Sequence, residues 1–289
     1  MATTSAARRR TPAARRNIVV NRSWLKSALG VAILSVLLFP LYWMVNASLL
    51  PSDELLRQPP VWFPINGTLA GYASAISTQG PHLVTSFIVS FGVVTVTLVL
   101  AAPAAYALAQ LRVRGGIPLV LVLLVVQMLP GIVMANSLYG VFNQVGLVDN
   151  YIGLILADST LAVPFAILLL RTFMHGVPRE LSEAARVDGA GYWRTFWSVI
   201  VPVSRNGLIT AGLFAFLLSW ADFLFAVTLT TGRSFEPITV GIYRFVGNQT
   251  TNWNGLMATA VLASIPAAIL LILAQRYVAA GVTGGAVKQ

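Results

Sequence analysis

Six long apolar stretches alternate with short polar connections along the chain, and each can bridge the hydrocarbon core of a bilayer at about 20 residues per helical crossing. They run Ser27 to Leu49, Leu83 to Leu111, Ile117 to Tyr139, Tyr151 to Leu170, Gly207 to Thr230, and Gly255 to Ala274. The pattern predicts an all-α integral membrane protein with six transmembrane helices. The second stretch is longer than a crossing needs, so it is expected to tilt or to kink at Pro103, whose ring and missing N–H interrupt the helical ladder. The division that follows is a tail, residues 1–26, a six-span domain, 27–274, and a short end, 275–289.

Two connections carry structure of their own. Residues Leu50 to His82 hold five prolines among several aromatics, which predicts an ordered cap rather than a linker. Residues 176–204, between the fourth and fifth spans, read as helix, glycine turn, helix. Pro178 suits the first turn of one helix and Gly189 its end, with Glu180 and Glu183 in its N-terminal half. Leu181, Ala184, Ala185 and Asp188 share one face at i, i+3, i+4 and i+7, and the small alanines would let another protein's backbone come close. A second helix, Tyr192 to Val201, has Trp193, Phe196, Trp197 and Ile200 as its apolar stripe and Pro202 as its stop. By pattern alone the element is either an amphipathic loop lying on lipid head groups or a docking knob.

Composition agrees with a membrane setting: 57% of residues are hydrophobic and 10% charged, where a soluble domain carries about a quarter charged. Of the 19 Lys and Arg residues, 16 lie in the N-terminal tail, the Arg112 to Gly116 link, the Arg171 to Asn206 stretch and the C-terminal end. The positive-inside rule then places both termini in the cytoplasm. The cluster Arg8, Arg9, Arg10, Arg15 and Arg16 has no aromatic residues interleaved for base stacking, and reads as a tail attracted to anionic lipid rather than to nucleic acid. With no cysteine there is no disulfide framework and no thiolate nucleophile. His82 and His175 have no partners at metal-ligand or triad spacing, so neither a metal site nor a catalytic residue is expected. Leu25 and Val287 precede the two lysines where a phosphate-binding loop needs glycine. ATP, if used, is hydrolysed on another chain.

Glu183-Ala184-Ala185, Asp188-Gly189-Ala190, Phe196, and Pro202 thirteen residues after Gly189 resemble the E-A-A…D-G-A…F…P signature of the permease subunits of ATP-binding-cassette (ABC) importers. The resemblance implies that 176–204 is the coupling-helix pair that sits in a groove of a separate ATPase, with Glu183 and Gly189 as its most characteristic residues. The end of the chain, Gln275-Arg276 and then Gly281 to Lys288, is similar to the tail of carbohydrate permeases of the maltose G type. It implies a further ATPase contact through Thr283, Gly285 and Lys288, where composition alone reads as a Gly-rich loose end. The implied partners are an ATPase dimer carrying ATP and Mg, a second homologous permease, an extracytoplasmic solute-binding protein and membrane lipid. The implied place is the bacterial cytoplasmic membrane, and no cofactor is implied on this chain.

Asp158 and Asp222 lie inside predicted spans at similar depth, where carboxylates face a polar cavity or a partner. Trp220, Phe223 and Phe225 flank Asp222, and an aromatic face beside a carboxylate suits a sugar ring. Asp158, Trp220, Asp222 and Phe223 are therefore candidates for the substrate path, or else the two acids hold helices together by hydrogen bonds. Trp220-Ala221-Asp222-Phe223 departs from the family's W-N-[DE]-[FY] pattern by the missing Asn. Two rivals stay open: an ion-gradient transporter with Asp158 and Asp222 as its ion site, and an ABC permease for a solute other than a sugar.

Overall fold

A computed structural model describes residues 23–111, 113–232, 235–248 and 252–286, with the side chains of Ser23, Leu25 and Asn248 and those beyond Gln275 excepted. These residues form helices α1 (Ser23–Leu49), α2 (Ser52–Leu55), α3 (Ala70–Gln110), α4 (Gly116–Val126), α5 (Gly131–Val145), α6 (Tyr151–His175) and α7 (Arg179–Val187). Then come α8 (Tyr192–Thr195), a π-helical turn (Phe196–Ile200), α9 (Val201–Val203), α10 (Arg205–Trp220), α11 (Leu224–Leu229), α12 (Ile238–Asn248) and α13 (Trp253–Ala286). Four helices are long and apolar enough to cross a membrane alone: Lys26–Leu49, Ala70–Gln110, Tyr151–His175 and Trp253–Gln275. Two further candidates are broken, with α4 and α5 meeting at 95° and Tyr192–Val203 meeting α10 at 81°.

The chain divides into two units, residues 1–43 and 44–289. The described part of the first is a helix whose Leu29, Val31, Leu34, Val36 and Leu37 are all exposed, apolar on every side, as suits lipid. In the second, α3 packs along α6 and α10. Ala101, Ala105 and Ala109 recur every fourth residue on α3 and meet Ala166 and Leu170 of α6 and Ala211 of α10. Small side chains let the backbones approach closely, which is how helices gain packing energy in lipid, where burial brings no hydrophobic gain. A second cluster joins Val89 and Val93 of α3 to Phe142 of α5, Leu154 of α6 and Phe225 and Leu229 of α11.

Several boundaries depart from the apolar pattern, each for a physical reason. The helix of the second stretch starts at Ala70 rather than Leu83, so part of the proline-rich connection is helical and α3 is about 60 Å long. Pro81 and Pro103 lie within α3 and do not end it. The third stretch is not one helix: Pro130 disfavours helical backbone at Leu129, and the chain turns there. The fifth is interrupted at Ala221–Phe223. The last helix continues past Ala274 to Ala286, into the segment expected to be a loose end.

The junction of α1, α3 and α13 turns on Asn254. Its Nδ2 donates to the carbonyls of Ser48 (2.9 Å) and Leu50 (2.6 Å), acceptors left over where α1 stops. Gly71, in the first turn of α3, lies so near that an added Cβ would collide with the Asn254 amide. Asn254→Ala leaves those carbonyls buried without a donor and is expected to cost about 1–3 kcal/mol. Thermal unfolding of the detergent-solubilised chain checks this; an unchanged midpoint would show that the junction does not depend on Asn254.

Candidate functional site

The strongest sequence signature folds into a protruding element. Helix α7 starts after Pro178, with Glu180 in its first turn and Arg186 in its last, both favourably placed for the helix dipole. It ends in a pair of bonds that closes its last carbonyls: Ala190 N–H donates to Ala185 O (2.9 Å) and Gly189 N–H to Arg186 O (3.0 Å). That closure requires the left-handed backbone of Gly189, φ +83°. Nothing lies within 4 Å of where its Cβ would stand, so conformation rather than space selects glycine.

Beyond the turn, the second helix is longer than expected and of mixed type. It runs from Tyr192 to Val203, so Pro202 lies within it rather than ending it. Proline offers no N–H to the turn before it, and the chain widens into a π turn just ahead, where Val201 N–H bonds Phe196 O five residues back. The apolar stripe divides. Phe196 and Ile200 are buried against Ala101, Tyr106 and Leu170, whereas Trp193 and Trp197 are 66% and 63% exposed. Phe196 meets the Tyr106 ring at 5.4 Å with a 37° tilt and makes edge contacts with Trp193 and Trp197. The base of α7 is fixed to the spans by Gln110, whose Nε2 donates to Met174 O (2.7 Å) and Val177 O (3.1 Å) at the end of α6.

The structure therefore brings Glu183, Ala184, Ala185, Asp188, Gly189 and Ala190 together on one knob, with Glu183, Ala184 and Asp188 exposed and Phe196 as its buried root. Pro202 lies apart, exposed where the element turns into α10. Thr283 and Gly285 are in the backbone of α13, with their side chains outside the described residues; Lys288 lies outside them altogether.

The four substrate-path candidates point to different neighbours. Asp158 is 5% exposed and accepts a hydrogen bond from Ser219 Oγ at 2.6 Å, while its Oδ1 is buried without a partner among the described residues. Trp220 donates to Ala263 O (3.0 Å) and stacks on Phe216, facing α13. Phe223 meets Tyr243 of α12 edge to face. Asp222 accepts from Ala226 N–H (2.9 Å) and Phe225 N–H (3.4 Å), closing the free donors where α11 begins after the break. Polar residues that the apolar pattern passed over line a cavity of about 490 Å³ between α5 and α11: Asn136, Ser137 and Thr228. Their only signal was polarity inside a membrane stretch.

A family model for the inner-membrane component of binding-protein-dependent transport systems matches residues 98–284. The chain belongs to that family. This permease is 32% identical to the sulfoquinovosyl glycerol transport system permease protein SmoH of Agrobacterium fabrum, over 87% of its own length and 89% of SmoH. It is also 32% identical to the trehalose transport system permease protein SugB of Mycobacterium tuberculosis, over 91% of its length and 96% of SugB. Its fold is similar to a chain of a solved bacterial ABC transporter involved in the import of alginate, with a TM-score of 0.77, 20% identity and coverage of 92% and 99% of the two chains. The permease is a multi-pass membrane protein and a transport subunit, not an enzyme.

Two outcomes follow for the permease. Ser219→Ala removes the one donor to Asp158 found among the described residues and is expected to cost about 1–3 kcal/mol, read as a lower unfolding midpoint; no change would mean that water replaces the hydroxyl. At Gly189, alanine is expected to cost about 1–2 kcal/mol because its Cβ disfavours the left-handed backbone. Asparagine should cost less and proline, which also loses the bond to Arg186, more. Amide exchange over 179–190 gives the order, and equal protection in all variants would dismiss the closure as a constraint.

Proposed function

We propose that this chain is the permease subunit of an ABC importer for a sugar or oligosaccharide, crossing the bacterial cytoplasmic membrane six times with both termini inside. The bent pair α4 with α5 supplies the third crossing, and α10 with α11, which follow the 81° bend after Tyr192–Val203, the fifth. The α7 knob docks in a groove of a separate ATPase, which holds ATP and Mg. The observation that carries this is the knob itself: a helix whose Leu181, Ala184 and Asp188 face is exposed, on a root buried among α3, α6 and α10. Movement of the knob reaches α10 through the unbroken chain of α8, the π turn and α9.

A second, similar permease completes the pathway, and a binding protein outside delivers the solute. The sugar class comes from relatives named for carbohydrate transport, SmoH and SugB. Thr283, Gly285 and Lys288 are proposed as a second ATPase contact. For the solute path the cleft offers the Asn136 amide and the acceptor lone pairs of Ser137 and Thr228, whose hydroxyls donate to carbonyls of their own helices, whereas Trp220 and Asp222 bond within the fold.

The natural chain has no cysteine, so Leu181→Cys or Asp188→Cys carries a single thiol. In gently solubilised native membranes, each is expected to crosslink to an ATPase subunit that co-purifies with a second permease. A chain that purifies alone, with uptake that collapses with the ion gradient at constant ATP, would replace the ABC importer with a secondary transporter.

A further inference from the structure

Behind the knob, between α7, α8 and the end of α3, lies a cavity of about 240 Å³, several times the roughly 30 Å³ a water takes in the liquid. Its wall has two cations, Arg179 and Arg186. Among the described residues neither guanidinium forms an ion pair. Arg186 lies over the Tyr192 ring at 5.0 Å, a contact that engages its charge and leaves its N–H donors available. Ser182, on the same wall, is only 9% exposed, and its hydroxyl has no hydrogen-bond partner among the described residues. A buried hydroxyl without a partner is costly, and ligand or water must supply one. Two acceptors share the space: Oε1 of Gln110, buried and unpartnered among the described residues although its Nε2 is bonded, and the Glu183 carboxylate.

We propose that this cavity binds a phosphate group whose molecule also carries a hydrogen-bond donor. Phosphate oxygens take the N–H donors of Arg179 and Arg186 and the hydroxyl of Ser182, the charge-assisted geometry at which guanidinium excels. The donor satisfies Gln110 Oε1 or Glu183, which would repel a bare anion. A free hydrogen phosphate or phosphorylated sugar supplies it as O–H, and a phosphatidylethanolamine head group as its ammonium. Either ligand ties Gln110 at the end of α3 to Arg179 and Ser182 on α7, and so sets how firmly the knob is held. That regulatory consequence rests on α7 being the ATPase-docking element; the binding site does not.

The test uses the full chain, without ATPase, in nanodiscs of phosphatidylcholine at constant ionic strength. Inorganic phosphate titrated against chloride is expected to bind saturably, one per chain, by calorimetry. Arg179→Gln, at the partly exposed start of α7, and Ser182→Ala should each weaken it about tenfold. In a second arm, discs containing phosphatidylethanolamine should either leave phosphate binding intact, naming the free source, or abolish it. In the latter case native mass spectrometry should find that lipid retained by the wild type and lost from Arg179→Gln. Phosphate binding that chloride matches, or that both variants retain, overturns the proposal. So does finding neither phosphate nor lipid bound. Because no ATPase is present, these failures leave the docking assignment untouched, and a failed crosslink from Leu181→Cys leaves this site untouched.

Discussion

A helix end leaves backbone donors and acceptors without partners inside the helix, and this fold depends on side chains to close them. Asn254 does so for the end of α1, Gln110 for the end of α6, and Asp222 for the start of α11. At another break Asp149 accepts from Gly232 N–H (2.7 Å) and Thr231 Oγ1 (2.9 Å). His82 Nδ1 bonds Glu236 O (2.9 Å), while the Glu236 carboxylate pairs with Arg244 at 3.0 Å. Except for Asp222, whose bonds to Phe225 and Ala226 are local, these hydrogen bonds join segments far apart in sequence, so the polar groups that close the breaks also assemble the bundle.

The same constraint separates what the sequence revealed from what it concealed. Apolar runs were legible because lipid demands them at every exposed position, and all six predicted stretches contain helix. The interruptions were not, because Gln127 to Pro130 and Ala221 to Phe223 are too short to alter the local apolar average. The start of α3 was hidden for the opposite reason: Ser74, Ser77, Thr78 and Gln79 break the apolar pattern, yet a helix outside the hydrocarbon has no need of one. Asp222 shows the effect on the candidate site. As an acid among aromatics it read as a possible sugar contact, and only the fold shows that its carboxylate meets the free N–H groups of α11.

The knob was the most legible part, since Glu180 and Gly189 each have one local job that the structure gives them, and Pro178 stands one residue ahead of the first turn it was expected to open. Its root was less so. Trp193, Phe196, Trp197 and Ile200 make one stripe on a regular helix, but the π turn and α3 divide them into two buried and two exposed. Phe196 and Ile200, packed against Ala101, Tyr106 and Leu170, thus join Gln110 in holding the knob to the bundle.

Helix α3 serves both ends of the bundle. Near its start Gln79 and His82 crowd against Gly241 of α12, and near its finish Tyr106 and Gln110 hold the root and base of the knob. Pro81 and Pro103 sit close to the two ends and take one backbone hydrogen bond each from the ladder, while the turns between them are intact. The helix is in effect a stiff shaft with a compliant joint at either end. A displacement at one end of such a helix is expected to reach the other as rotation or translation of the whole shaft, with bending favoured at the two prolines.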